Sequence, residues 1–195
     1  ILIPNGNTGS PDSFATKALA GGVGSWAGSV SAGGIVSQTL TSAGHTNYLF
    51  FYDFNLAIPS AAIIDGIQVT APKLVMGGTA VDQSVRLVVG GSVVGTDHAS
   101  ATPWSTTAFV TSVYGGPTDN WAASLTGAQA STQGASGFGV AIAANVTSTT
   151  HYNLIQSGTA NSESTTTTVY TFPNPVTAGN TIVLGVHTFD EIPVS

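Results

Sequence analysis

The residues able to do chemistry are few, and their spacing argues against most of it. Paired imidazoles hold metals or move protons when they sit close together on one element. His45, His98, His151 and His187 are scattered without a His-x-His or His-x-x-x-His spacing, so surface or hydrogen-bonded core histidines are expected. There is no cysteine, which excludes a thiolate nucleophile, a disulfide and a Cys-based zinc site. A serine nucleophile on a strand-to-helix elbow needs flanking glycines, and Gly24-Ser25 and Gly91-Ser92 lack that pattern. Paired carboxylates could hydrolyse glycosides. However, Glu163 and Glu191 both lie near the C-terminal end, and Asp-Gly and Asp-Asn steps at strand ends are ordinary turn formers. No Asp-x-Asp calcium loop exists; Asp97, Asp119 and Asn120 could converge from neighbouring loops, but turn capping is the expected role. No catalytic residue, metal ligand or cofactor is therefore assigned, and the chain is not expected to be an enzyme.

Recognition by aromatic residues is the more credible chemistry. Trp26, Trp104, Tyr114, Trp121 and Tyr152 fall beside loop residues. Exposed rings stack on sugar faces while nearby Asp or Asn side chains bind hydroxyls. Trp104, Tyr114, Asp119 and Trp121 thus form a candidate glycan or subunit contact. The competing expectation, which is favoured, makes the large aromatics core or interface anchors. Asn145-Val146-Thr147 matches a glycosylation acceptor, relevant only in a eukaryotic secretory setting.

The elements that would position these residues are strands. Of 195 residues 42% are hydrophobic but only 6% are charged, against about 25% in ordinary soluble domains. That apolar share excludes a disordered chain. With Lys17, Lys73 and Arg86 as its only cations beside 9 acidic residues, the chain lacks the basic groups that phosphate contacts require. No apolar run approaches a membrane span. Ile1-Leu2-Ile3-Pro4 has neither an initiator Met nor a basic stretch, so no leader peptide is expected there. Ala-rich stretches occur only at 15–20 and 121–130; elsewhere period-2 runs bounded by Gly, Pro, Asn and Ser recur, as in a sandwich or barrel.

The run 47–54 alternates Tyr48, Phe50, Tyr52 and Phe54 with Leu49 and Phe51, which predicts a central strand or a subunit contact. Asp65-Gly66 predicts a bulge ahead of Ile67 and Val69. Over 81–89, Val81, Gln83, Val85, Leu87 and Val89 alternate with Asp82, Ser84 and Arg86, and Gly90-Gly91 predicts a two-residue hairpin into 92–94. Further strands are expected over 109–114 and 137–143. In the latter Phe138, Val140 and Ile142 face a core, while Gly139, Ala141 and Ala143 leave a smooth face for a second sheet or a symmetry mate. Beyond Asn145 the chain turns Ser/Thr-rich, with strands expected over 167–172 and 181–189. The organisation is thus an N-terminal arm with first strands (1–44), a β-sandwich domain (45–150), and a linker with two strands (151–195) that could open a second β module.

Over residues 48–146 a series of motifs runs in order: Phe54 with Ile58-Pro59 and Ile64-Asp65-Gly66-Ile67-Gln68-Val69; Val85-Arg86-Leu87 leading to Gly95 and Trp104; Tyr114-Gly115-Gly116 through Asp119 to Trp121; and Gly137-Phe138-Gly139-Val140. In this combination the segment resembles a β-sandwich module of structural proteins in tailed bacteriophages and prophages. The family module normally ends on a further strand, whereas Asn145 runs into the Thr-rich stretch. The segment Ala178-Gly179-Asn180-Thr181-Ile182-Val183 resembles the opening of a bacterial surface β module. The resemblance implies an all-β, antiparallel, jelly-roll-like sandwich with an N-terminal arm and extra C-terminal strands. It implies a virion-surface role as capsid decoration, head fibre or tail-fibre segment. Its partners would be copies of itself as a homotrimer, the major capsid or other virion proteins, and a host surface glycan, without nucleic acid or membrane. A glycan-binding or receptor-binding module and a subunit of a non-viral extracellular filament are the alternatives.

Overall fold

The computed structural model describes residues 2–4, 11–30 and 34–149. The expected 151–195 segment, with its two strands, Tyr152, His151, His187 and both glutamates, lies outside the described residues. The fold is all-β. Its strands are β1 (Leu2–Pro4), β2 (Ser13–Lys17), β3 (Ala27–Gly28), β4 (Ile35–Ser37), β5 (Gly44–His45) and β6 (Tyr48–Tyr52). They continue with β7 (Ile67–Lys73), β8 (Gly78–Val89), β9 (Ser92–Val94) and β10 (Val110–Gly116), then a one-turn helix α1 (Gly127–Ala130) and β11 (Gly139–Thr149). All strand pairs are antiparallel. The main sheet has the order β2-β6-β11-β8-β9, with β5 also on β11; β10-β7 and β1-β4-β3 form two smaller sheets. Side chains from the main sheet (Leu49, Phe51, Val85, Leu87, Val140 and Ile142) share one apolar cluster with Ala71 of β7, Tyr114 of β10 and Val36 of β4.

Local sequence explains much of this. Asp53, at φ 62°, ends β6, and Asn55 follows Phe54 at φ 50°, a conformation that short polar side chains tolerate. Gly90 and Gly91, at φ 58° and 75°, make the expected β8–β9 hairpin, because a two-residue turn there needs positive φ twice. The Ala-rich segment at 15–20 is partly strand β2: pairing with β6 overrides alanine's helical preference. At 121–130 only four residues are helical, started by a Thr126–Gln129 capping box. Asp65-Gly66 is not a bulge. It precedes β7, and Gly66 sits where a Cβ would fall 2.3 Å from the Gly116 carbonyl oxygen, so the glycine serves close backbone approach.

The described part of the 1–44 segment is built into the body, because β2 is an edge strand of the main sheet and Trp26 and Val36 are buried in the core. Among the described residues, the smooth face of β11 is covered by side chains of neighbouring strands in its own sheet. Tyr48 and Phe50 pack with Ala141, Ala143 and Val88 in a second apolar cluster. Phe50 stacks on Tyr52 at 5.0 Å, and its ring lies where a Cβ on Gly139 would come within 2.3 Å. Aromatic rings thus cover the strand glycine, a recognised device for stabilising it. Lys17 on β2 donates to the Gly91 carbonyl in the turn joining β8 and β9, at the opposite edge. Strands are spaced at about 4.8 Å, so the sheet must curl around this second cluster for one lysine to span it.

Candidate functional site: a closed Lys–Asp–Tyr–Trp cluster

One irregularity creates the site. β11 pairs Ala143 with Ser84 and then Ala144 with Asp82, skipping Gln83. This bulge leaves Gln83 exposed and reverses the side-chain alternation, because one extra residue moves all later side chains to the other face. Ser84 and Val88 remain on the Tyr48–Phe50 side, whereas Asp82 and Ala80 turn into the main core. Strict alternation would have placed Asp82 beside Ser84.

Asp82 meets Lys73, the last residue of β7, and Tyr114 of β10. The Lys73 ammonium donates to Asp82 Oδ1 and to the Tyr114 hydroxyl. That hydroxyl donates in turn to Asp82 Oδ2 at 2.8 Å. Trp104 Nε1 donates to Oδ1 at 2.8 Å, and the Ser100 amide to Oδ2 at 3.0 Å. Trp104 is held there by its own amide on the Ala80 carbonyl, 2.8 Å away. The Lys73 ammonium lies 4.7 Å from the Trp104 ring centre and 5.1 Å from that of Tyr114, within cation–π range. The Lys73 and Asp82 side chains are 4% and 0% exposed, so the pair is sealed from solvent. Burial pulls the Lys73 ammonium below its usual 10.5, with Asp82 opposing. Burial, then the charge and hydrogen bond of Asp82, push the Tyr114 phenol far above its usual value.

A second carboxylate stands nearby but is more open. Asp97 accepts from the Ser84 hydroxyl at 2.6 Å and from the amides of Val85 and Ala99 at 2.9 and 3.0 Å; Arg86 Nε is 3.4 Å away. Burial alone would raise its pKa, but these donors and the Arg86 charge outweigh it and hold the carboxyl below its usual value. This is the turn-capping role expected for Asp97.

The sequence-marked residues divide differently from a sugar site. Trp104, Tyr114 and Trp121 are all buried, so none offers a ring face to a glycan or to another subunit. Trp104 and Tyr114 join the cluster just described. Trp121 is fully buried at φ 57°; its Nε1 donates to the Ile67 carbonyl at 2.8 Å, and its ring centre lies 4.2 Å from that of His98. Asp119 is half-buried, caps the Trp121 amide at 2.8 Å, and stands 3.3 Å from His98 Nε2. Asp97, Asp119 and Asn120 hold turns, and no metal-binding group of His, Asp or Glu forms among the described residues. The reading of the residues missed Lys73 and Asp82. The only sequence signal was a lysine ending an otherwise uncharged strand, nine positions before an aspartate flanked by valine and glutamine.

The geometry defines an all-β chain organised around a closed polar cluster. No family model matches it, and no curated protein and no solved structure does so.

Proposed function

We propose that this chain is a structural part of the outside of a tailed-bacteriophage particle, a capsid decoration, head fibre or tail-fibre segment working by protein–protein assembly. The carrying observation is a sparsely charged chain that leaves large apolar side chains on its surface. Met76 is 69% exposed and Val113 58%, with Phe109 and Val110 also exposed. Val113 shares the outward face of β10 and β7 with Thr111, Thr70 and Gln68, all exposed and none charged. Apolar groups left in water favour association. The ordered motifs over 48–146 support the phage setting, and the core shared by all three sheets supports a jelly-roll-like sandwich. Copies of the chain, as a homotrimer, and the major capsid protein are the proposed partners.

The test is to purify induced phage particles from the source and digest them lightly with protease while intact. Peptides of this chain released from intact particles support an exterior position. Their absence from purified particles overturns the reading. Trimming at the N-terminus must stop before Ser13, because removing 1–20 would delete β2 from the main sheet.

A further inference from the structure

We propose that Lys73 and Asp82 condense to an isopeptide bond, a covalent link between β7 and β8 formed by the folded chain itself. The cluster holds all the groups that such a step requires. The amine and the carboxyl are in contact and are closed from solvent. The Tyr114 hydroxyl accepts from Lys73 Nζ and donates to Asp82 Oδ2, a two-step proton path from nucleophile to leaving oxygen. Trp104 Nε1 donates to the other oxygen, Oδ1, where negative charge develops in a tetrahedral intermediate.

The balance closes without any co-reactant. Nζ attacks Asp82 Cγ, forming the C–N bond, and the C–Oδ2 bond breaks. The ammonium gives two of its three protons to Oδ2 through Tyr114, and Oδ2 leaves as water. The third proton stays on the amide nitrogen, and Oδ1 becomes the amide oxygen under the Trp104 indole N–H. One positive and one negative charge disappear together, so the net charge is unchanged.

Two physical features favour the step. Burial favours the neutral amine that attacks, and the raised Tyr114 phenol keeps its proton and can act as a relay. Burying two ions is also expensive, since their desolvation can exceed their attraction. Condensation replaces that ion pair by a neutral amide. The chain's other described cations differ: Lys17 reaches the Gly91 carbonyl, and Arg86 lies half-exposed beside Asp97.

The experiment is intact mass spectrometry of the unfolded full chain, followed by tryptic mapping. The expected mass is one water below that of the sequence. Trypsin should cut after Lys17 and Arg86 but not after Lys73, leaving one linked peptide over 18–86. A full mass with cutting after Lys73 overturns the proposal. Lys73→Met should restore the full mass. A Lys73→Met chain still one water short assigns the loss to a cyclic imide at Asp65-Gly66 and also overturns it. Tyr114→Phe keeps the ring and removes the relay, so linking should slow by roughly 100-fold or more, the usual scale of acid–base assistance. Linking at the parental rate refutes the role given to Tyr114.

Discussion

Replacing Trp121 by alanine separates a core tryptophan from a ligand-binding one. The indole is fully buried, packs on His98, and donates to the Ile67 carbonyl. Truncating a buried Trp to Ala costs about 3–5 kcal/mol, and the lost hydrogen bond adds about 1 kcal/mol. A loss of about 4–6 kcal/mol is large beside total stabilities of roughly 5–15 kcal/mol. At a urea slope of about 2 kcal/mol per molar it moves the unfolding midpoint down by about 2–3 M. The φ of 57° supplies a second, finer test. Ala keeps the left-handed strain of about 1–2 kcal/mol, whereas Gly removes it at an unfolded-state cost of about 0.4–1 kcal/mol. Trp121→Gly should therefore be at least as stable as Trp121→Ala, the reverse of the usual order. Urea unfolding followed by far-ultraviolet circular dichroism measures both. A Trp121→Ala loss under about 1 kcal/mol, or a glycine variant clearly weaker than the alanine one, refutes this account of the residue.

Three further outcomes are expected. Gly139→Val should lower the melting temperature, because its Cβ would fall 2.2 Å from the Phe51 carbonyl oxygen and 2.3 Å from the Phe50 ring, an overpacking cost of about 1–3 kcal/mol; calorimetry decides. The folded pKa of Asp97 lies below its unfolded value of 3.8, so its contribution is present above that pH and is lost as pH falls through the folded pKa. Asp97→Asn should accordingly flatten the acid side of the stability profile, read from urea midpoints between about pH 2 and 6; an unchanged slope contradicts the assignment. Met76→Asp with Val113→Asp should shift sedimentation toward smaller species while leaving stability within about 0.5 kcal/mol, the usual range for surface changes; unchanged assembly removes that face from the proposed contact.

The fold class was legible because strand patterning is local. The aromatic run at 48–52, the Gly90-Gly91 turn and the strand around Val110–Gly116 are each specified by neighbours in sequence. The Gly/Ala face of β11 was legible as a close approach, but its partner was not. Phe50 lies on another strand, and a small residue reports only that something comes near.

The polar cluster shows where local reading stops. The sequence by itself determined a sparsely charged, cysteine-free, all-β chain with very few cations and no spaced catalytic set, since composition and period-2 alternation carry that information directly. Only the tertiary structure decided that Asp82 is inside. Its side depends on the register of β8 against β11, and the bulge at Gln83 reverses that side. A bulge is fixed by a partner strand some sixty positions away in sequence, between Ala143 and Ala144, and no alternation within β8 reports it. Packing of the β7–β10 sheet against β8 then brings a lysine from β7 and a tyrosine from β10 to one buried carboxylate.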